Sequence, residues 1–379
     1  MVVFIKRLIM NLLYLFSYFS IRSKKIWVFG SYGNFNDNSR YLFLSMIEKK
    51  EVKSIWIAKN YQELKEVRKI SRNCYYRYSL RGLFYCLRAK VYIYSAYTSD
   101  INYFTAGNVI RINLWHGIPL KKIEFDISKG SIAHIFNSSL ISKFFHPWVY
   151  IRPSFLLSPS QYVTNYSFMR AFRVSEEQVI INTYPRVINL IEKQKKYVKS
   201  GDKFIFFYAP TWRDSNPEFL TDEFINLEVL NKFCSENNAE FLIKLHSNSK
   251  FKIDSSKYQY IKVLENSIDS NHAMIISDCL ITDYSSIYFD YLFLEKPIIL
   301  YRFDESEYIE NSRELYEEMY AHVPGFIVKE FSVLLLSMSN IMNDKTECLC
   351  LSNELRVKLQ VKQTQNQYCL IKEIQQKIG

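Results

Sequence analysis

Ile276-Ser277-Asp278-Cys279-Leu280-Ile281-Thr282-Asp283-Tyr284-Ser285-Ser286 decides the fold, together with the residues just after it: a helical stretch through Ile287, Tyr288, Asp290 and Leu292, the turn Glu295-Lys296-Pro297, and the apolar run Ile298–Tyr301. Cys279–Thr282 and Ile298–Tyr301 have the length and composition of buried strands. A helix between two such strands makes a βαβ unit, and repeated βαβ units make a parallel sheet. Outward from this unit the alternation continues. Strands are expected at Phe204–Ala209, Phe241–Leu245 and Tyr260–Leu264, with helices near Asp222–Asn237, Ser285–Glu295 and Tyr308–Met319.

The first half carries its own series, with strands at Ile26–Ser31, Ser54–Ala58, Val91–Ser95, Val109–Leu114, Phe155–Ser158 and Val179–Thr183. Helices are expected at Asn38–Glu48, Tyr61–Ile70 and Gln161–Phe172, and Ser175-Glu176-Glu177-Gln178 has capping-box spacing, enough for a turn before a strand. The basic, polar stretch Lys193–Lys203 divides the two series. The expected class is therefore α/β, with two doubly wound Rossmann-like domains in a GT-B-like arrangement. The expected segments are 1–22 (membrane-associating), 23–197 (first α/β domain), 203–350 (second α/β domain) and 351–379, a carboxy-terminal helix packing back across the domains. In such sheets ligands bind beyond the carboxyl ends of the strands, so residues that do chemistry belong just after strands.

Composition excludes several classes. With 48% hydrophobic and 23% charged residues the chain is folded and globular. Its 29 Tyr and 28 Phe against 9 Gly imply large cores and an amphipathic surface suited to lipid headgroups. A formal charge of +11 implies anionic partners. No zinc spacing, RNA-binding signature or Arg-rich helix is present, so nucleic acid is not expected and phosphorylated substrates or an anionic membrane surface are. The seven scattered cysteines read as reduced thiols of a cytoplasmic protein. P-loop, Gly-x-Gly-x-x-Gly, Gly-x-Ser-x-Gly and His-Glu-x-x-His strings are all missing.

Residues Met1 to Ile21 are apolar but interrupted by Lys6 and Arg7, and the uninterrupted part is shorter than the ~20 residues of a spanning helix. No small-residue cleavage site comes after it. The expectation is an in-plane anchor, with Lys6, Arg7, Arg22, Lys24 and Lys25 on anionic headgroups at the cytoplasmic face of the membrane, the protein being peripheral. The alternative is a helix packed on the protein's own core.

Four strings carry chemistry. In Trp115-His116-Gly117-Ile118-Pro119-Leu120-Lys121-Lys122 a strand runs into a turn that Gly117 permits, exposing His116 for general-base work, with Lys121 and Lys122 able to hold phosphate. In Ala209-Pro210-Thr211-Trp212-Arg213-Asp214, Arg213 offers a planar fork for pyrophosphate and Asp214 can orient it. In Lys244-Leu245-His246, alternation puts Lys244 and His246 on one side of the strand and Leu245 on the other. The opening string delivers Thr282 and Asp283, after which Ser285 and Ser286 cap a helix start that favours a phosphate.

In order and spacing these four strings, with Lys296-Pro297, resemble the CDP-glycerol glycerophosphotransferase family of teichoic acid and capsule synthesis, over roughly residues 105–325. The resemblance implies a GT-B fold, a donor held mainly by the second domain, and two important histidines that fall on His116 and His246. It implies attack of an acceptor hydroxyl on the phosphorus next to the glycerol, with CMP leaving. His116 is then the base. Arg213, Lys244, His246, Thr282, Asp283, Ser285 and Ser286 form the donor and pyrophosphate set; Trp115, Gly117, Lys121, Lys122 and Arg186 lie on the acceptor side. The acceptor is a lipid-linked or capsular polymer.

Three strings depart from the family pattern: Ser247-Asn248 after His246, Pro185-Arg186-Val187-Ile188, and Arg313-Glu314-Leu315-Tyr316 without its Gly. CDP-ribitol therefore stays open as the donor beside CDP-glycerol, as does a role for Mg²⁺, since no carboxylate pair marks a metal site. Rival readings are a GT-B glycosyltransferase that releases a nucleoside diphosphate, and a non-catalytic membrane-surface scaffold.

Overall fold

The computed structural model describes residues 1–130, 132–213, 224–245, 254, 257–265, 268–311, 314–361 and 366–379. By its internal contacts the chain forms two compact units. Unit 1 holds Met1–His116, Ile123–Asn189 and Val361–Gly379; unit 2 holds Gly117–Lys122 and Leu190–Gln360. This division differs from the sequence boundaries: unit 2 begins at Leu190, not at 203, and runs to Gln360, past 350. The short segment Gly117–Lys122 counts with the second sheet, and the last helix, Gln367–Ile378, counts with the first.

Unit 1 is built on β1 (Ser23–Phe29), β2 (Lys53–Ala58), β3 (Cys74–Tyr76), β4 (Ala89–Tyr94), β5 (Ile110–Asn113), β6 (Phe155–Ser158) and β7 (Val179–Ile181). They lie in the order β3-β2-β1-β4-β5-β6-β7, every pair parallel. The order runs outward in both directions from the β1/β4 pair, the doubly wound pattern. Helices cover both faces, so the central strands are apolar without alternation: Ser54–Ala58 and Val91–Tyr94 are buried throughout.

Unit 2 repeats the plan with β8 (Phe204–Tyr208), β9 (Ala239–Ile243), β10 (Ile261–Val263), β11 (Cys279–Thr282), β12 (Ile298–Tyr301) and β13 (Phe326–Val328). Their order is β10-β9-β8-β11-β12-β13, again all parallel. Phe206, Tyr208, Phe241, Ile243, Ile281, Ile299 and Tyr301 form one side of its core, closed by Leu334, Met338 and Ile341 of the helix Phe331–Asn343. The expected α/β class and two doubly wound sheets are thus present. β3 and β13 were not expected; each is a three-residue edge strand. The Ser175 box starts only the 3₁₀ turn Glu176–Gln178, as its position before a strand implied.

The amino-terminal helix Val2–Phe16 continues as a 3₁₀ turn to Phe19. Those 18 residues have a mean hydropathy of 1.5 and are long and apolar enough to cross a membrane, more continuous than the sequence suggested. The helix lies on unit 1 with its polar side inward. Arg7 donates to the Tyr103 hydroxyl, Asn11 to the Phe144 carbonyl, and the Ser17 hydroxyl accepts from the Gly107 amide. Its apolar side chains, among them Leu8, Leu12, Leu15 and Phe16, face out and are exposed. All seven cysteines are unpaired and five are buried; burial pushes the Cys74 and Cys234 thiols up to about 12, away from nucleophilic use.

Candidate functional site

In unit 1, β5 ends at Asn113 and the chain turns sharply. Trp115 takes a left-handed φ of 51° and Gly117 a φ of 145°, a conformation that favours glycine, as its place in the string predicts. His116 is thereby turned out to solvent while both neighbours are buried. The turn is held on every side. The Asn113 carboxamide accepts from the Trp115 amide (2.8 Å) and donates to the Ala96 carbonyl (3.0 Å). The fully buried Asn38 donates to the Trp115 carbonyl (2.8 Å) and accepts from the Arg186 amide (3.2 Å). The Arg186 guanidinium donates to the His116 carbonyl (2.6 Å) and to Asp37 (2.8 Å). The Trp115 ring backs the imidazole, with centroids 3.9 Å apart.

The imidazole itself is oriented by Nδ1, 3.1 Å from the Ser95 carbonyl oxygen. A carbonyl can only accept, so Nδ1 carries the proton and the basic lone pair is on Nε2. Ser95 is fixed in turn by Asp100. This buried carboxylate accepts from the amides of Ser95 (3.3 Å), Ala96 (2.9 Å) and Tyr97 (3.3 Å), with Lys59 4.0 Å away. Burial pushes Asp100 up to about 6, against the pull of Lys59 and the three amides.

Trp115 and Arg186 were expected on the acceptor's phosphate. Instead Trp115 is 5% exposed and Arg186 is engaged by Asp37 and a carbonyl, so both build the turn that presents His116. Asn38, Asp37, Ser95 and Asp100 escaped the sequence reading. Asp37-Asn38 looks like any polar helix start, and only the fold brings it to Trp115.

In unit 2 the strand order reverses between β8 and β11, and the second and fourth strings meet there. Asp283, fully buried, accepts from the Thr211 amide (2.9 Å) and hydroxyl (2.6 Å), from the Tyr284 amide (2.6 Å) and from Arg213 (2.9 Å). Thr282 donates to the Ala209 carbonyl at 2.6 Å. Arg213 also forms a two-pronged pair with Asp304, at 2.7 and 2.9 Å. Burial alone would pull the guanidinium's pKa down, but Asp283 and Asp304 outweigh it and hold the charge.

These residues are engaged with one another within unit 2. Arg213, 5% exposed, has its fork committed to two carboxylates, and Thr282 and Asp283 tie the Thr211–Arg213 loop to β11 rather than presenting donors to a ligand. Asp214, expected to orient Arg213, and His246 lie outside the described residues. Beside Arg213 the Tyr284 and Tyr308 rings stack at 3.7 Å.

The other members of the set divide similarly. Lys244 comes directly after β9, with its ammonium 3.1 Å from the Glu265 carbonyl; burial lowers its pKa, opposed by Asp269. Leu245 packs against the core, as alternation requires. Ser285 accepts from the Ile287 amide at 3.4 Å, whereas Ser286 makes no capping bond and the helix it precedes, Ile287–Tyr291, is a single turn. Expected phosphate holders Lys121 and Lys122 are engaged within unit 2. Lys121 bridges to Leu315 and lies over the Tyr308 ring at 4.7 Å, and Lys122 pairs with Glu314 at 3.1 Å. Lys296 donates to the carbonyls of Met274, Ile275 and Ser277, closing the end of the helix Ser270–Ile276. Among the described residues no group of three His, Cys, Asp or Glu side chains could hold a metal ion.

Two doubly wound parallel sheets, with an oriented imidazole beyond one and a hydroxyl- and cation-bearing loop set beyond the other, fit the framework on which transferases of GT-B type are built. The chain belongs to the CDP-glycerol:poly(glycerophosphate) glycerophosphotransferase family, whose model matches residues 12–358. It is 27% identical over 326 residues to a teichoic acid glycerol-phosphate transferase of Staphylococcus aureus, covering 81% of each chain. It is 28% identical over 351 residues to a teichoic acid poly(glycerol phosphate) polymerase of Bacillus spizizenii, covering 86% of each. Among solved structures, a variant of the wall teichoic acid polymerase TagF superposes with a TM-score of 0.73 at 25% identity, over 89% of this chain and 85% of that one.

Proposed function

We propose that this enzyme transfers glycerol phosphate from CDP-glycerol to the terminal hydroxyl of a teichoic acid polymer, with His116 as the base. The acceptor oxygen attacks the phosphorus bonded to glycerol and its proton passes to Nε2. The bond from that phosphorus to the bridging oxygen breaks, and CMP leaves with the electron pair. Unit 2 holds the donor: Lys244, Ser285 and Ser286 neutralise the diphosphate, with His246 assigned to the same set from the sequence, while Arg213, Thr282 and Asp283 brace the loop Thr211–Arg213. The observation that carries the reading is the Nδ1 bond to the Ser95 carbonyl, which leaves Nε2 as the proton acceptor on an exposed ring. Incubation of the purified chain with CDP-glycerol and a glycerol-phosphate-primed acceptor should release one CMP per unit transferred, with CDP-ribitol and UDP-sugars inert. Release of a nucleoside diphosphate would sink the assignment.

The same reading puts the protein at the cytoplasmic face of the membrane, peripherally, where a lipid-linked acceptor would be met. What supports this is the inverted helix Val2–Phe16, whose polar groups are tied to unit 1 while its apolar side faces out, beside an apolar recess of about 650 Å³ lined by Ile9, Leu13, Tyr78, Leu83 and Phe104. Lys6 sits at the recess, suited to an anionic headgroup. Replacing Leu12 and Phe16 together by Glu removes two apolar side chains, each contributing about 1.5–3 kcal/mol when buried. Binding to anionic vesicles should fall more than tenfold in a sedimentation assay; unchanged binding removes the membrane reading and leaves the transfer chemistry intact.

A further inference from the structure

The β1/β4 pair is where unit 1's strand order reverses, and in such sheets ligands bind beyond the strand ends at that point. The β1 loop runs close against the Asp100 backbone: a Cβ on Gly30 would lie 2.6 Å from the Asp100 carbonyl oxygen, so only glycine passes. Two residues on, the backbone of Tyr32 is fixed at both ends. Its amide donates to the Ser95 hydroxyl (3.0 Å) and its carbonyl accepts from the Lys59 ammonium (2.5 Å). Yet its ring is 70% exposed and lies beside His116, with centroids 6.4 Å apart and planes within 22°. Ser95 thus sets both rings, holding Tyr32 through its hydroxyl and His116 through its carbonyl.

From this juxtaposition we infer that Tyr32 is the platform of the acceptor subsite, packing the C–H face of the acceptor's terminal polyol and so presenting its hydroxyl to His116. An aromatic carried on a backbone held at both ends and left open to water is partly preorganised for such a contact, because the loop need not be ordered on binding. The inference rests on His116 being the base toward the acceptor.

In the full-length chain, Tyr32→Ala should raise KM for a glycerol-phosphate oligomer acceptor about five- to tenfold, the scale of one aromatic contact. KM for CDP-glycerol should stay within about twofold, as should its slow hydrolysis by water. Tyr32→Phe should match the parent, since the phenol oxygen is not used. Tyr32→Leu, which keeps bulk without a flat face, should fall with alanine and guards against a loop disturbed by truncation. An unchanged acceptor KM in both the alanine and leucine variants, or an equal rise in donor KM, overturns the platform. Full turnover in His116→Ala would instead overturn the base assignment, and the acceptor KM of the Tyr32 variants would separate the two failures.

Discussion

Replacing His116 by alanine is expected to lower kcat for glycerol-phosphate transfer by about two to four orders of magnitude, the range for a positioned general base, with binding of CDP-glycerol unchanged. The turn that presents this ring does not depend on the ring. Asn113, Asn38 and Arg186 hold the backbone of Trp115 and His116, so the loss should be chemical and not conformational. His116→Asn makes the sharper test. An amide side chain can keep the donor to the Ser95 carbonyl but has no basic nitrogen at the Nε2 position, so it should be as slow as alanine. Single-turnover release of CMP, with circular dichroism as the fold control, decides it; an asparagine variant at parental rate would exclude proton transfer to this residue.

The second large effect is on stability. Asp283→Ala should destabilise unit 2 by about 3–5 kcal/mol, the usual result of removing one partner of a buried ion pair. Four donors converge on this carboxylate, two from Thr211, one from Tyr284 and one from Arg213, all in a place closed to water. Without it Arg213 keeps Asp304 but loses half its compensation, and the Thr211–Arg213 loop comes off the end of β11. With urea m-values of about 1–3 kcal/mol per molar, the midpoint for unit 2 should drop by at least about 1 M. Trp212 is the only tryptophan in that unit and reports the transition from within the affected loop. A midpoint shift under about 0.3 M would mean that the carboxylate is not structural and would return it to the ligand-binding set.

The contrast between these residues separates what was legible in the chain from what was hidden. Strand-length apolar runs separated by helix-length segments have a meaning that survives any tertiary detail, so both sheets and the placing of all four motifs at strand ends were legible. Of the four three-residue edge strands, Val179–Ile181 and Ile261–Val263 were legible inside longer apolar runs, whereas Cys74–Tyr76 and Phe326–Val328 were not. A helix expected at Tyr308–Met319 is two short ones, Glu305–Asn311 and Glu317–Tyr320, since Leu315 between them bridges to Lys121. The chemistry of Arg213 was equally hidden. A planar fork after a strand suits a diphosphate and a carboxylate alike, and the choice is made by Asp283 and Asp304, remote in sequence and adjacent only once β11 and β12 pair. His116 was readable because its neighbours, a turn-forming Gly and a strand, are local. Asn38, Ser95 and Tyr32 were not, because what makes them matter is the crossing of loops from different strands.

The helix Gln367–Ile378 closes unit 1 from beyond unit 2 in chain order: Glu373 accepts from Asn182, Gln367 donates to the Pro185 carbonyl, and Lys24 donates to the carbonyl of Gly379. A chain emerging from the ribosome makes the sheet of unit 1 first but cannot finish that unit until this helix has been synthesised. Unit 2, contiguous apart from Gly117–Lys122, is complete in the nascent chain before then. The half that carries the proposed base is therefore the last to mature, and premature termination near residue 360 would yield a product with a whole second sheet and an unfinished first one.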